Sequence, residues 1–321
     1  MPHLKEQQVA IAAVTAAARL CQQIRQGSFQ AFAKADQSPV TLADLGSQAI
    51  VCQTLSAAFA DDSIVAEEDA QMLRQPSNRG ILEQITERVR QTVPQTTPDL
   101  LTEWIDRGKG QTAARYWTLD PIDGTKGFIR GDQYAIALAL IEYGQVQLGV
   151  LACPALPFQE HIGTLFVAVS GQGTTMMTFN GTSQPVQVSQ RGGSDSVRLI
   201  ESVESAHSDR PRQEEIARKL GLSCTPMRMD SQAKYGAVAK GDADLYLRIP
   251  LPQDSSRREN IWDHAAGAII VEEAGGRVTD LDGQPLKFSC GAKLAQNRGI
   301  VASNGLIHEQ VLGAIAACDQ V

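Results

Sequence analysis

Apolar residues recur at helical spacing over residues 4–26 (Val9, Ala13, Ala16, Leu20, Ile24), which predicts an amphipathic helix closed by Gly27. A short run at 29–34 and a polar loop at 35–39 follow. Thr41 is then placed to cap a second helix over about 42–58, with Asp44 in the capping-box position three residues later. Residues 63–66 read as a short strand that runs into Glu67-Glu68-Asp69. A helix over 81–91, a Pro- and Thr-rich turn and a polar connector lead to residues 116–119, an apolar run that reads as a buried strand. Pro121 lacks an N–H, so that strand is expected to stop there. Gly124 allows the sharp turn that follows.

Further along, the period changes to that of sheet. Residues 134–140 and 146–152 are apolar strands joined by Glu142-Tyr143-Gly144-Gln145, a hairpin signal. Residues 164–169 and 174–179 form a second pair, and Asn180-Gly181 is a tight-turn dipeptide. This half reads as helices packed on an antiparallel sheet. The Ser/Gly-rich stretch 189–196 is the best boundary, giving an α+β domain at 1–190 and an α/β domain at 191–321. In the second part strands and helices alternate: strands at 197–201, 244–249, 276–279 and 299–302, helices at 212–220, 231–240, 263–274 and 306–317. That alternation argues for crossover helices.

A chain of 321 residues with 43% hydrophobic and 20% charged content has room for a full core and the balance of a soluble enzyme. The formal charge of -7 argues against nucleic acid or an anionic membrane as partner. No run reaches the roughly 18 apolar residues of a membrane span. The apolar run at 9–18 lacks the basic flank and cleavage site of a secretory signal. Cys21, Cys52, Cys153, Cys224, Cys290 and Cys318 are scattered without metal-ligand spacing and read as reduced thiols. The cytoplasm is the expected compartment, and a monomer or homodimer the expected state.

The chemistry concentrates at Asp120-Pro121-Ile122-Asp123-Gly124-Thr125. Two carboxylates three residues apart at a strand end repel each other unless a cation neutralises them, and a hard divalent cation suits oxygen ligands of that kind. Glu67 and Glu68 stand at the end of another strand. Asp263, in Ile261-Trp262-Asp263-His264, opens a helix and suffices there as an N-cap. Ser231 at a helix start offers a hydroxyl and free N–H groups to an anion, with Lys234 one turn on. Asp106 is a further carboxylate that can face the site, and Arg115 reads as a solvated charge or a phosphate contact. The Rossmann and Walker patterns are absent.

The hexapeptide 120–125 resembles the signature of the lithium-sensitive, magnesium-dependent phosphatase superfamily, and similar stretches recur from about residue 34 to residue 280. The extension Lys126-Gly127-Phe128-Ile129-Arg130-Gly131 is most similar to the branch of 3'(2'),5'-bisphosphate nucleotidases, which hydrolyse 3'-phosphoadenosine 5'-phosphate (PAP). The resemblance implies a layered α-β-α-β-α sandwich with the site in the cleft between halves. It implies two or three Mg²⁺ held by Glu67, Asp120, Asp123, Asp263 and the Ile122 carbonyl, with Glu68 in support. It also implies a Thr125–Asp44 pair that activates water, and Thr125, His207, Ser231, Lys234, Arg248 and Asp263 as substrate contacts. The expected reaction yields AMP and phosphate, as in sulfur assimilation. The sequence leaves open the sulfated analogue and the 2'-phosphate isomer. The competing readings are an inositol phosphate or sugar bisphosphate phosphatase of the same superfamily, a non-catalytic PAP or metal sensor, and a scaffold.

Overall fold

The computed structural model describes residues 2–27, 31–33, 39–193, 197–205, 208–222, 225–254 and 258–319. Of the sequence-based expectations, His207, Cys224, half of the run at 29–34, residues 35–38 of the polar loop and the end of the 189–196 boundary stretch lie outside those residues.

Helix α1 (Leu4–Gln26) and helix α2 (Leu42–Ala58) follow the expected spans. Strands β1 (Ala31–Ala33) and β2 (Pro39–Thr41) pair as a small ribbon between them. Next come β3 (Ser63–Ala66), α3 (Arg79–Arg90), α4 (Pro98–Asp106), β4 (Arg115–Asp123) and α5 (Thr125–Arg130). A meander of β5 (Ala135–Glu142), β6 (Gln145–Phe158), β7 (His161–Val169), β8 (Thr174–Thr178) and β9 (Ser183–Val186) completes a seven-stranded sheet in the order β3 to β9. All its pairs are antiparallel except β3 with β4. Pro185 is tolerated in β9 because that strand is the sheet's edge.

The second sheet holds β10 (Leu199–Glu201), β11 (Met227–Arg228), β12 (Leu245–Arg248), β13 (Arg277–Thr279) and β14 (Ile300–Ser303), ordered β11-β10-β12-β14-β13. Its helices are α6 (Arg210–Lys219), α7 (Ala233–Ala239), α8 (Ala265–Glu273) and α9 (His308–Asp319). Strand β10 runs parallel to β11 and β12, as crossover helices require, whereas β14 is antiparallel to both its neighbours.

Strand alternation builds the layers. In β5, Ile136, Leu138 and Leu140 join α1 and α2 in one core, while Ala135, Ala137, Ala139 and Ile141 face α7 and α8 in a second. The second sheet repeats the device. Tyr246, Ile300 and Ala302 enter the core with α7 and α8, and Leu245, Leu247 and Val301 enter a third with α6 and α9. The result is five layers, α-β-α-β-α, with α7 and α8 sandwiched between the sheets.

Three local expectations are corrected. The connector before β4 holds a helix, α4, in which Pro98 takes the first position and the Thr97 hydroxyl accepts from Leu100 N–H at 3.2 Å. Strand β4 does not stop at Pro121 but continues to Asp123 through an irregularity in register, where a missing N–H is harmless. Helix α8 begins at Ala265, so Asp263 lies in the turn ahead of it and is not its N-cap.

Candidate active site

The β4 irregularity decides where the two aspartates point. In an unbroken strand, residues three apart face opposite sides. Here Asp120 pairs with Ala137 and Asp123 with Ala135, so three steps on β4 match two on β5. One extra residue resets the alternation, and both carboxylates reach the side occupied by α7. The Asp123 carboxylate accepts from Gln232 N–H at 2.5 Å. Gly124 then takes φ 83°, a left-handed conformation open to glycine, and a Cβ there would stand 3.0 Å from Ser231 Cβ. Ser231 is itself left-handed at φ 67°, which costs a non-glycine residue roughly 1 kcal/mol or more. The two turns press together and lock α5 against α7.

Around this contact is a cavity of about 680 Å³, and Glu67, Asp120, Ile122, Asp123, Thr125 and Asp263 all line it. Ser231, Lys234 and Arg248 line it too. Strands β3 and β4 deliver Glu67 and Asp120 side by side through their parallel pairing, and Asp263 arrives from the turn before α8. Glu68 is buried off the wall, its backbone held at both ends by the Gln48 side chain (Nε2 to Glu68 O, 2.6 Å; Glu68 N to Oε1, 3.0 Å). Asp44 also lies behind the wall. Its Oδ1 accepts from the Thr125 hydroxyl at 3.1 Å, and its Oδ2 accepts from Thr41 N–H at 2.7 Å and the Thr41 hydroxyl at 2.6 Å. The Thr125 hydroxyl is also 3.2 Å from the Ile122 carbonyl.

The acids strain one another. Burial, then Glu67, Asp123, Asp263 and Asp44, raise the Asp120 carboxyl well above the usual carboxylate range. Burial also raises Asp123, against the pull of Lys234 and the Gln232 N–H. Asp263 is pushed up to about 8 by burial and then by Asp123, with Arg248 opposing. Asp120 Oδ1 is buried with no hydrogen-bond partner among the described residues. Several carboxylates converging on one cavity, one with an orphaned oxygen, are a donor set that a hard divalent cation would satisfy.

The cationic wall is equally specific. Lys234 is 4% exposed, with its ammonium 2.7 Å from the Ser231 carbonyl and 5.2 Å from the centre of the Tyr246 ring. Burial pushes it down to about 8, while Asp123 acts in the opposite sense. Arg248 pairs with Glu259 at 2.8 Å. Burial would raise the Glu259 carboxyl, but Arg248 and His264 outweigh it and hold the group below the usual range. His264 is packed, Nδ1 to the Tyr235 hydroxyl at 2.7 Å. Lys126, Asn260 and Lys293, which the sequence did not single out, also line the cavity.

Three sequence-based assignments change. Asp106 points away from the cavity, bound to Arg74 at 2.6 Å and Lys109 at 2.8 Å. Arg115 sits at the far end of β4, paired with Glu6, Asp62 and Glu142. The N–H groups after Ser231 are not open to an anion, because Gln232 N–H serves Asp123, and those of Ala233 and Lys234 serve Ser231 itself. What remains of Ser231 for a ligand is its hydroxyl.

Comparison with known proteins agrees with this architecture. A family model described as "Inositol monophosphatase family" matches residues 5–320. A 3'(2'),5'-bisphosphate nucleotidase of Oryza sativa is 44% identical over 340 residues, covering 98% of this chain and 94% of that protein. Another of that description from Schizosaccharomyces pombe is 41% identical over 339 residues, covering 97% and 95%. Among solved structures, an IMPase of Thermotoga maritima superposes with a TM-score of 0.70 at 22% identity, covering 99% of each chain.

Proposed function

The chain belongs to the inositol monophosphatase family, and from that premise we propose that it is a magnesium-dependent 3'(2'),5'-bisphosphate nucleotidase that converts PAP to AMP and phosphate. The observation that carries the reading is the composition of one cavity, which is lined by clustered carboxylates with Thr125 and also by two cations, the buried Lys234 and the part-buried Arg248. A substrate with two phosphates separated by a ribose suits such a pair of donor sets. One phosphate would meet the acids, which would hold the metal, and the other would meet the cations directly.

Glu67, Asp120, Asp123, Asp263 and the Ile122 carbonyl would hold two or three Mg²⁺. The bound ions supply neutralisation of the phosphate oxygens and a lowered pKa for water. The remaining work falls to the chain's own residues. Thr125 accepts a proton from the attacking water and passes its own to Asp44, whose Oδ1 is the acceptor already in place at 3.1 Å. Without that carboxylate a threonine hydroxyl is too weak a base at neutral pH. Water attacks phosphorus in line and the bond to the 3' oxygen breaks; that oxygen takes a proton from solvent and leaves as the 3'-hydroxyl of AMP, and Asp44 returns its proton to solvent. Lys234, Arg248 and the Ser231 hydroxyl bind the 5'-phosphate and orient the ester, with His207 as a further contact to the nucleoside. At the cluster of acids, bound metal would reverse the local sign for an anionic substrate, in a chain whose net charge is already -7. No described helix is long and apolar enough to cross a membrane, and we assign the activity to the cytoplasm.

The test is phosphate release from PAP, inositol 1-phosphate, inositol 1,4-bisphosphate and fructose 1,6-bisphosphate at fixed Mg²⁺, then without Mg²⁺ and with Li⁺. Preference for PAP that disappears without Mg²⁺ supports the reading. Faster turnover of an inositol phosphate or the sugar bisphosphate overturns it.

A further inference from the structure

Arg248 ends β12 on the cavity wall. Glu259 is its partner, with Oε2 meeting Arg248 Nη2 at 2.8 Å. Asp263 is close by, its carboxylate within 4.8 Å of that of Glu259, and Asp123 and Asp263 both feel the arginine's charge. The Arg248 Nε is buried and has no hydrogen-bond partner among the described residues. A guanidinium carries five donors in a rigid fork, so the pairing with Glu259 leaves part of the fork for a ligand.

Glu259 is not part of the cavity wall; it backs Arg248 from behind. It is anchored on both sides. Its own carbonyl accepts from Leu294 N–H at 2.9 Å, and its Oε2 lies 3.5 Å from His264 Nε2. The His264 ring is fixed in turn by the Tyr235 hydroxyl at 2.7 Å, and both side chains are buried. A carboxylate fastened in this way cannot follow the arginine, so the arginine must come to it.

We propose that Glu259 is a positioning residue. It holds Arg248 on the wall as receptor for the substrate's second phosphate, fixing one edge of the guanidinium so that the rest of the fork faces the ligand. The nucleotidase reading enters only in naming the second phosphate as the 5'-phosphate of an adenosine.

The experiment compares the wild type, Glu259→Gln, Glu259→Asp, Arg248→Ala and the Arg248→Ala/Glu259→Gln double variant at saturating Mg²⁺. The substrates are PAP with adenosine 3'-phosphate, and inositol 1,4-bisphosphate with inositol 1-phosphate. Glu259→Gln is expected to raise KM for the bisphosphate about tenfold, the size of one charge-assisted contact, with kcat kept within about threefold and the monophosphate nearly unaffected. Glu259→Asp should recover most of the loss. In the Arg248→Ala background, Glu259→Gln should add nothing. A readout without turnover is binding of adenosine 5'-phosphate by calorimetry, which should weaken about tenfold in Glu259→Gln and be no weaker in the double variant than in Arg248→Ala.

Equal losses on bisphosphate and monophosphate, or a Glu259→Gln effect that persists without Arg248, overturn the proposal. So does unchanged binding of adenosine 5'-phosphate in Glu259→Gln when the wild type binds it. If Glu259→Gln does not fold, Glu259→Asp and the double variant, which carries no orphaned charge, decide the same question. A wild type that hydrolyses the inositol pair and neither adenosine compound sinks the nucleotidase reading instead, and the role of Glu259 is then decided on the inositol pair.

Discussion

The Thr125 hydroxyl lies 3.1 Å from one oxygen of Asp44, and the other oxygen of that carboxylate closes the capping box of α2 with Thr41. One buried side chain thus serves a helix end and the reacting pair through separate atoms. Thr125→Val and Asp44→Asn should each lower kcat by about 10²–10⁴, the range for a lost general base. The double variant should fall no further than the worse single one, because the two act as a unit. Thr125→Val should melt near the wild type. Asp44→Ala should also lose about 1 kcal/mol of stability with the cap. Kinetics and thermal denaturation on these variants check this, and multiplicative kinetic losses would refute the pair.

Asp123 sets stability against chemistry. Its carboxylate is held up by burial and shares the cavity with other acids, and its contact with Gln232 N–H survives replacement by an amide oxygen. Asp123→Asn should therefore abolish turnover while the metal-free variant melts at or above the wild-type temperature. Retained turnover, or a clear loss of metal-free stability, would count against its assigned place.

Metal-free stability should depend on pH in a direction fixed by the raised acids. Asp263, at about 8, keeps a proton that the unfolded chain gives up near 4, so its contribution is present at low pH and fades as pH rises toward 8. The buried His264 and His308 are pushed down, by burial first, and act in the opposite sense only up to their ordinary 6.5. Between about pH 6.5 and 8 the acids decide. The rise in melting temperature on adding Mg²⁺ should grow across that window, and calorimetry should show protons released on binding. A Mg²⁺ shift that shrinks with pH would contradict the arrangement.

Lys234 gives the site an alkaline limit. Its buried ammonium titrates near 8, so it is charged below that pH and neutral above. The kcat/KM for PAP should fall above about pH 8, and Lys234→Arg should move that limb upward by keeping the charge. Lys234→Ala should raise KM for PAP by about tenfold or more, the loss of a charged contact, and hurt a simple phosphomonoester far less. An alkaline limb unchanged in Lys234→Arg would assign it to another group.

Much of the fold is legible because burial writes itself into spacing. The period of α1, the Thr41–Asp44 cap of α2 and the run of β3 appear in the structure within a residue or so of where the sequence puts them. The hairpin at Glu142–Gln145 is equally plain, since Tyr143 and Gly144 adopt the left-handed angles that a two-residue turn demands. Helix α4 escapes the sequence pattern for a local reason. Pro98 has the look of a breaker, although after a Thr cap it is a helix starter.

By itself, then, the sequence determined the long helices and strands, though not α4 or the short strands, because helical and strand periods are local properties of the chain. It also determined which residue types stand at strand ends, because 120–125 is a continuous string. Tertiary structure alone decided the rest. The extra residue in β4 puts Asp120 and Asp123 on one side, a fact of pairing with β5 that no period shows. Asp106 and Arg115 found partners elsewhere, and the N–H groups behind Ser231 were claimed by Asp123 and Ser231 itself. Glu259 meets Arg248 across eleven residues of chain, and Asp263 meets Asp120 across more than a hundred. Charges act through space, and only the packed layers fix which of them become neighbours.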